Sequence, residues 1–146
     1  MRELPRKLSA DELAALFEGR TRFVERMAEL DDPLARADEV LASLPEDEKI
    51  EALDTHPAIG ARRLSARSSA EQGPADADPT ILSELAYLNQ VYEEKFGFRF
   101  VVFVHGRSKR EILEVLRERL AGSREVELET GCSELVAIAR DRWASA

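Results

Sequence analysis

The chain has 146 residues and a mass of 16.4 kDa, enough to bury one core without covalent staples. Its 21 Lys plus Arg against 29 Asp plus Glu give a net charge of −8, which argues against a general nucleic-acid or anionic-membrane binder. Cys132 is the one cysteine and there are two histidines, so neither an internal disulfide nor a structural zinc cage can form, as expected for a reducing, cytoplasmic setting. The opening MRELPRKLSA lacks an apolar core, and no signal peptide is predicted.

Helical spacing governs almost every apolar position. Ser9-Ala-Asp-Glu12 reads as a capping box, followed by Leu13, Leu16 and Phe17 on one face. Gly19 interrupts, and Phe23, Val24, Met27 and Leu30 form a second stripe. Asp32-Pro33 reads as an N-cap with proline at the first helical position, ahead of Leu34, Ala37, Val40, Leu41 and Leu44. Pro45 restarts the pattern with Ile50 and Leu53 inward, and Pro57 forces an end near Thr55 by pushing His56 out of the α region. An irregular stretch with Arg62, Arg63 and Arg67 precedes Ser68-Ser69-Ala70-Glu71, a further possible capping box, and then a loop. The clearest helix runs from Pro79 to Phe96 on Leu82, Leu85, Ala86, Leu88, Val91, Tyr92 and Phe96, with Gly97 as its C-terminal cap.

Residues 98–104, Phe-Arg-Phe-Val-Val-Phe-Val, are β-branched and aromatic but stand alone, and a lone strand has no ladder partner. They are expected to form a buried extended segment whose backbone groups pair with neighbouring loops or face a pocket near Val102. Ser108-Lys-Arg-Glu111 caps a helix on Ile112, Leu113, Leu116 and Leu120, and a last helix runs from about Ser123 to Trp143. The expected fold is all-α: one domain over 1–146, a compact multi-helix bundle crossed by one buried extended segment.

Three places suit chemistry, each with a structural alternative. His56, locked by Pro57 at a helix end, is placed to exchange protons near neutrality, or simply to meet the helix dipole. Glu71-Gln72 suits a bound polar group, or merely completes the cap with Ser68. Arg142 follows Leu135 and Ile138 at i, i+3, i+7, so it either snorkels or grips a carboxylate. His105 beside Gly106 reads as a loop residue, and Trp143 with Phe96, Phe98, Phe100 and Phe103 as core. No P-loop, dinucleotide-binding glycine motif, zinc-protease motif or nucleophile elbow is present.

Taken in order, the residues resemble a family. His56-Pro57-Ala58-Ile59-Gly60 is followed by Ser68-x-x-Glu71-Gln72 and by Leu88-Asn89-x-x-Tyr92-x-x-Lys95-Phe96-Gly97-Phe98-x-Phe100. Gly106-Arg107-Ser108-Lys109, Ile112-Leu113 and Ile138-Ala139-Arg140-x-Arg142 complete the set. The pattern, from about Ser9 to Trp143, is similar to the 2-oxo-4-hydroxy-4-carboxy-5-ureidoimidazoline (OHCU) decarboxylases of urate breakdown. The resemblance implies an all-helical, cofactor-free, metal-free homodimer that acts on a small molecule, converting OHCU to (S)-allantoin. It implies His56, Glu71 and Arg142 as catalytic residues. Pro57, Ser68, Gln72 and the backbone near Phe100 and Val102 would bind substrate. The interval from His56 to Glu71, 15 residues, is shorter than in many relatives, and Arg99 stands where a proline is common. A related decarboxylase for another ureido or imidazoline acid, or an inactive helical interaction module, remain alternatives.

Overall fold

The computed structural model describes residues 3–59 and 78–145. Among these the regular elements are α1 (Ala10–Phe17), α2 (Arg22–Ala28), α3 (Pro33–Ser43), α4 (Glu46–Asp54), α5 (Pro79–Phe96), α6 (Lys109–Leu120) and α7 (Arg124–Ser145), with no strand. Three helix starts form as the sequence dictates. The Ser9 and Ser108 capping boxes close in both directions, and Asp78 accepts from the Thr80 N–H at 2.8 Å. Asp32 differs: it sits at the N-cap of α3 in the left-handed region (φ 52°) with no side-chain cap bond, and its own N–H donates to the Arg6 carbonyl at 2.7 Å.

Two groups of helices result. α1 packs on α2, α2 on α3 and α4, and the long α7 lies across α1, α3 and α4. α5 and α6 pack on each other. The face α5 buries is Leu85, Asn89, Tyr92 and Phe96, while Ala86 is exposed. The stripe therefore follows i, i+4, i+7, i+11 and admits a polar residue, because Asn89 reaches across to the Ile59 carbonyl at 3.2 Å.

Residues 98–104 cross the body in extended form, with Phe98, Phe100, Val101, Val102 and Val104 buried. Tyr92 gathers the rings of Phe96, Phe98 and Phe100 at centroid separations of 4.6, 6.0 and 5.2 Å. An unpaired buried backbone group costs about 1–3 kcal/mol, so the segment needs substitutes for a ladder. They come mainly from charged side chains rather than from loops, contrary to the sequence expectation. Asp54 accepts the Arg99 N–H (3.0 Å) and Glu134 the Phe103 N–H (3.3 Å). Arg119 donates to the Val101 carbonyl (2.7 Å), and Arg107 to those of Phe103 (2.6 Å) and Val104 (3.1 Å). A charged side chain can reach where a second strand cannot, which is why helices satisfy this segment.

Arg119 also ties the two helix groups together. Its Nε meets Glu127 Oε1 at 2.7 Å, Tyr92 donates to the same oxygen at 2.8 Å, and the guanidinium lies 4.6 Å from the Phe100 ring centroid. Burial pushes the Tyr92 hydroxyl well above its ordinary range, so it remains a donor. Removing one partner of such a buried pair strands the other. Arg119→Met is expected to cost about 3–5 kcal/mol in urea unfolding. Arg36→Ala, which breaks the exposed pair with Glu39, should stay within about 0.5 kcal/mol.

Candidate functional site

The site begins where two helices end. α1 terminates at Glu18, not at Gly19: Glu18 takes the left-handed conformation (φ 66°) and donates its N–H to the Ala14 carbonyl. Gly19 is reserved for a close approach, since a Cβ there would lie 3.0 Å from the Thr55 methyl carbon. The Thr55 hydroxyl in turn bonds the Ala52 carbonyl at 2.9 Å and the Phe17 carbonyl at 3.4 Å. This clasp brings the end of α4, and hence His56, against the end of α1.

Arg142 approaches from α7. It is buried, donates to the Leu16 carbonyl at 2.8 Å and meets Glu18 Oε1 at 3.2 Å. The inward face of this arginine therefore has protein partners of its own, one of them a carboxylate that periodicity did not identify. A left-handed non-glycine residue costs on the order of 1–2 kcal/mol, and at Glu18 it accompanies the contact of the carboxylate with Arg142.

The His56 ring is buried and its Nδ1 finds no hydrogen-bond partner among the described residues. What holds the residue is its main chain. Its N–H donates to the Leu53 carbonyl at 3.1 Å, and Arg99 donates to its carbonyl at 2.9 Å. Farther along the turn, Asn89 holds the Ile59 carbonyl. Pro57 is half-buried between these anchors. Burial foremost, then the Arg142 charge, and less strongly Arg99, lower the imidazole from 6.5 to about 4; Glu18 opposes them. His56 is therefore neutral at pH 7, the form that accepts a proton.

Phe100 is core by its side chain, so only its main chain is open to a ligand role. Val102 is likewise buried, and the main chains of Phe100 and Val102 have no hydrogen bond to a described residue. The bonded main-chain groups of the segment belong to residues 99, 101, 103 and 104. Ser68, Glu71 and Gln72, with Arg62, Arg63 and Arg67, lie outside the described residues. Sequence reasoning missed Glu18 and gave no role to Asn89. The available signal for Asn89 was a polar side chain at the centre of an apolar stripe. His105 is an exposed turn residue (φ 48°), as predicted. No metal-holding cluster of His, Cys, Asp and Glu occurs among the described residues, and none of their helices is long and apolar enough to cross a membrane. A groove between α3, α4 and α7 contains Cys132, but burial pushes its thiol up to about 11, so it is not a nucleophile.

Residues 2–144 match the family model described as OHCU decarboxylase. The chain is 27% identical over 144 residues to the uric acid degradation bifunctional protein PucL of Bacillus subtilis, covering 92% of this chain and 29% of that protein. It is 32% identical over 108 residues to the 2-oxo-4-hydroxy-4-carboxy-5-ureidoimidazoline decarboxylase of Xenopus laevis, covering 68% of this chain and 62% of that protein. It thus spans less than two thirds of either curated relative. A crystal structure of OHCU decarboxylase in the presence of (S)-allantoin superposes with a TM-score of 0.78 at 28% identity, over 92% of this chain and 96% of that one.

The pKa of His56 has a consequence for stability. Between pH about 6.5 and about 4 the unfolded chain binds a proton that the folded chain refuses. The contribution of the neutral imidazole is full above pH 6.5 and is lost as the pH falls through that window, to a limit of about 3 kcal/mol. Urea unfolding at pH 7 and pH 4.5 should show a smaller loss in His56→Gln than in the parent chain.

Proposed function

We propose that this chain, which belongs to the OHCU decarboxylase family, converts OHCU to (S)-allantoin as a step of urate breakdown. The observation that carries the reading is the buried, neutral His56 with an unpartnered Nδ1, set beside Arg142 in a chain matched by the family over nearly its whole length.

The substrate carries a carboxylate and a hydroxyl on one ring carbon, next to a carbon doubly bonded to nitrogen. When CO₂ leaves, the C–C bonding pair forms a C=C bond to that neighbour, and the C=N pair moves onto nitrogen, which takes a proton. The resulting enol loses its hydroxyl proton and gains one at the neighbouring carbon, which becomes the S centre. The electron sink lies in the substrate, so the protein has only protons and charge to manage. Neutral His56 suits removal of the hydroxyl proton. Arg142, oriented by Glu18 and the Leu16 carbonyl, suits the substrate's carboxylate or carbonyl oxygen as a planar donor. Glu71 would orient the imidazole or the hydroxyl, Gln72 and Ser68 would bind the ureido or ring amide, and Pro57 would shape the wall beside His56. The main chains of Phe100 and Val102, without a hydrogen bond to a described residue, would supply N–H and C=O groups of the kind an amide requires. A single domain, a homodimer and a cytoplasmic location complete the proposal; sedimentation of the purified chain tests the dimer.

The test is freshly generated OHCU with optical activity as the readout: (S)-allantoin should appear faster than in buffer. His56→Ala should abolish turnover and leave a folded chain. Arg142→Lys retains a charge but not the fork, so kcat/KM should fall roughly ten- to a hundredfold, beside a Tm lowered by weaker pairing with Glu18. A kcat/KM equal to that of the parent would confine Arg142 to its structural pair. Along the segment, Val102→Pro should raise KM strongly while Val102→Ile leaves it nearly unchanged; equal effects would mean that the segment serves packing alone.

A further inference from the structure

We propose that Arg99 is a positioning residue for His56, holding the histidine's turn through its main chain and referencing it to the extended segment. The word positioning rests on the decarboxylase reading; the geometry does not. Arg99 Nη1 donates to the His56 carbonyl at 2.9 Å and to the Asp54 carbonyl at 3.3 Å. Its Nε donates to Glu93 of α5 at 2.9 Å, and its main-chain N–H donates to Asp54 Oδ1 at 3.0 Å. A guanidinium is a rigid plane. With Glu93 fixing one edge and two carbonyls another, its orientation is determined, and so is the direction of the His56 carbonyl. The Asp54 carbonyl is among those that α4 leaves without intrahelical partners at its C-terminus, where a cation is favoured.

Among the described residues the imidazole has no ring partner of the usual kind. A working histidine is commonly oriented by a carbonyl or carboxylate on its second ring nitrogen. Here Nδ1 has no such partner among the described residues. Among the described residues, what fixes the histidine acts through the backbone, from Leu53, Arg99 and, at Ile59, Asn89. Of these anchors only Arg99 belongs to the extended segment, where the main chains of Phe100 and Val102 have no hydrogen bond to a described residue. A substrate held there would have its distance to the imidazole set by one side chain. An exposed ion pair would not justify this weight. Arg99, however, is 31% exposed and joins the His56 turn, α5 and the segment at once.

The charged groups that bear on the His56 ring are Arg142 of α7, Glu18 of α1 and Arg99 of the segment; Glu71 is a proposed fourth. Removing the Arg99 charge should move the titration of His56, whereas a residue that merely braces the fold away from the ring would not.

The experiment compares Arg99→Gln, Arg99→Lys and Glu93→Gln with the parent chain. It combines steady-state turnover of fresh OHCU, Tm, and NMR titration of the two imidazoles, assigned with a His105→Gln background. Arg99→Gln should lower kcat about ten- to a hundredfold with a much smaller change in KM, and the His56 midpoint should rise. Arg99→Lys should recover part of kcat and keep the midpoint low. Parent-like kcat in a folded Arg99→Gln chain, or an unmoved His56 midpoint, would overturn the proposal. Should Arg99→Gln not fold, Glu93→Gln decides: it keeps the charge but loosens the plane, so kcat should drop, and an unchanged kcat overturns the proposal. Absence of turnover in the parent would sink the decarboxylase reading instead. The titration arm then still decides whether Arg99 acts on His56.

Discussion

Everything in this fold is arranged around a stretch of extended chain that has no sheet. Residues 98–104 are too apolar to lie outside and too polar along the backbone to lie inside unassisted. The helices resolve the conflict with long charged side chains. Asp54, Arg119 and Glu134 reach one edge of the segment from α4, α6 and α7, and Arg107 closes its end. Each of those charges would be costly if buried alone. Arg119 is matched by Glu127 and by the Tyr92 hydroxyl, so a solution for the backbone also becomes the joint between two groups of helices. The main chains of Phe100 and Val102 have no hydrogen bond to a described residue. The joint and the proposed binding groups belong to one segment.

Local signals were legible because their causes are local. The reciprocal caps at Ser9 and Ser108, the stop before Pro57 and the left-handed Gly97 each depend on a few neighbouring residues. The extended segment was legible as well, through β-branching and aromaticity without a partner run. Its satisfaction by side chains was not, because Arg119 and Val101 lie 18 residues apart, Glu134 and Phe103 31 apart, and periodicity names a face, never the group across from it. Glu18 was hidden for a related reason. A glycine beside a helix end normally takes the left-handed cap, but here Thr55 needs Gly19 for close packing, and the cap moves one residue back. Asn89 was hidden by its position in a stripe that reads as hydrophobic on average.

The candidate site shows the same division. The motif order pointed to His56 and Arg142, and these residues do converge, with the Arg142 charge second only to burial in shifting the His56 ring. An inward arginine does not by itself imply a bound anion here, since Glu18 and the Leu16 carbonyl already occupy part of its fork. What survives is an orientation argument. A guanidinium fixed by protein partners presents its charge without reorganising when a ligand arrives, which is how preorganised dipoles serve a reaction.

Charge then distinguishes this buried corner from the chain as a whole. The chain carries a net −8, yet among the described residues two guanidinium groups and one carboxylate are the charges that bear on His56. A base held neutral by burial first and by neighbouring cations second is weaker than free imidazole, which would be a poor choice for taking a proton from an ordinary alcohol. It is a coherent choice when the substrate brings its own anion: on binding, a carboxylate offsets the Arg142 and Arg99 charges and raises the affinity of His56 for a proton. That coupling makes the cations around His56 part of how the proposed reaction is confined to its substrate.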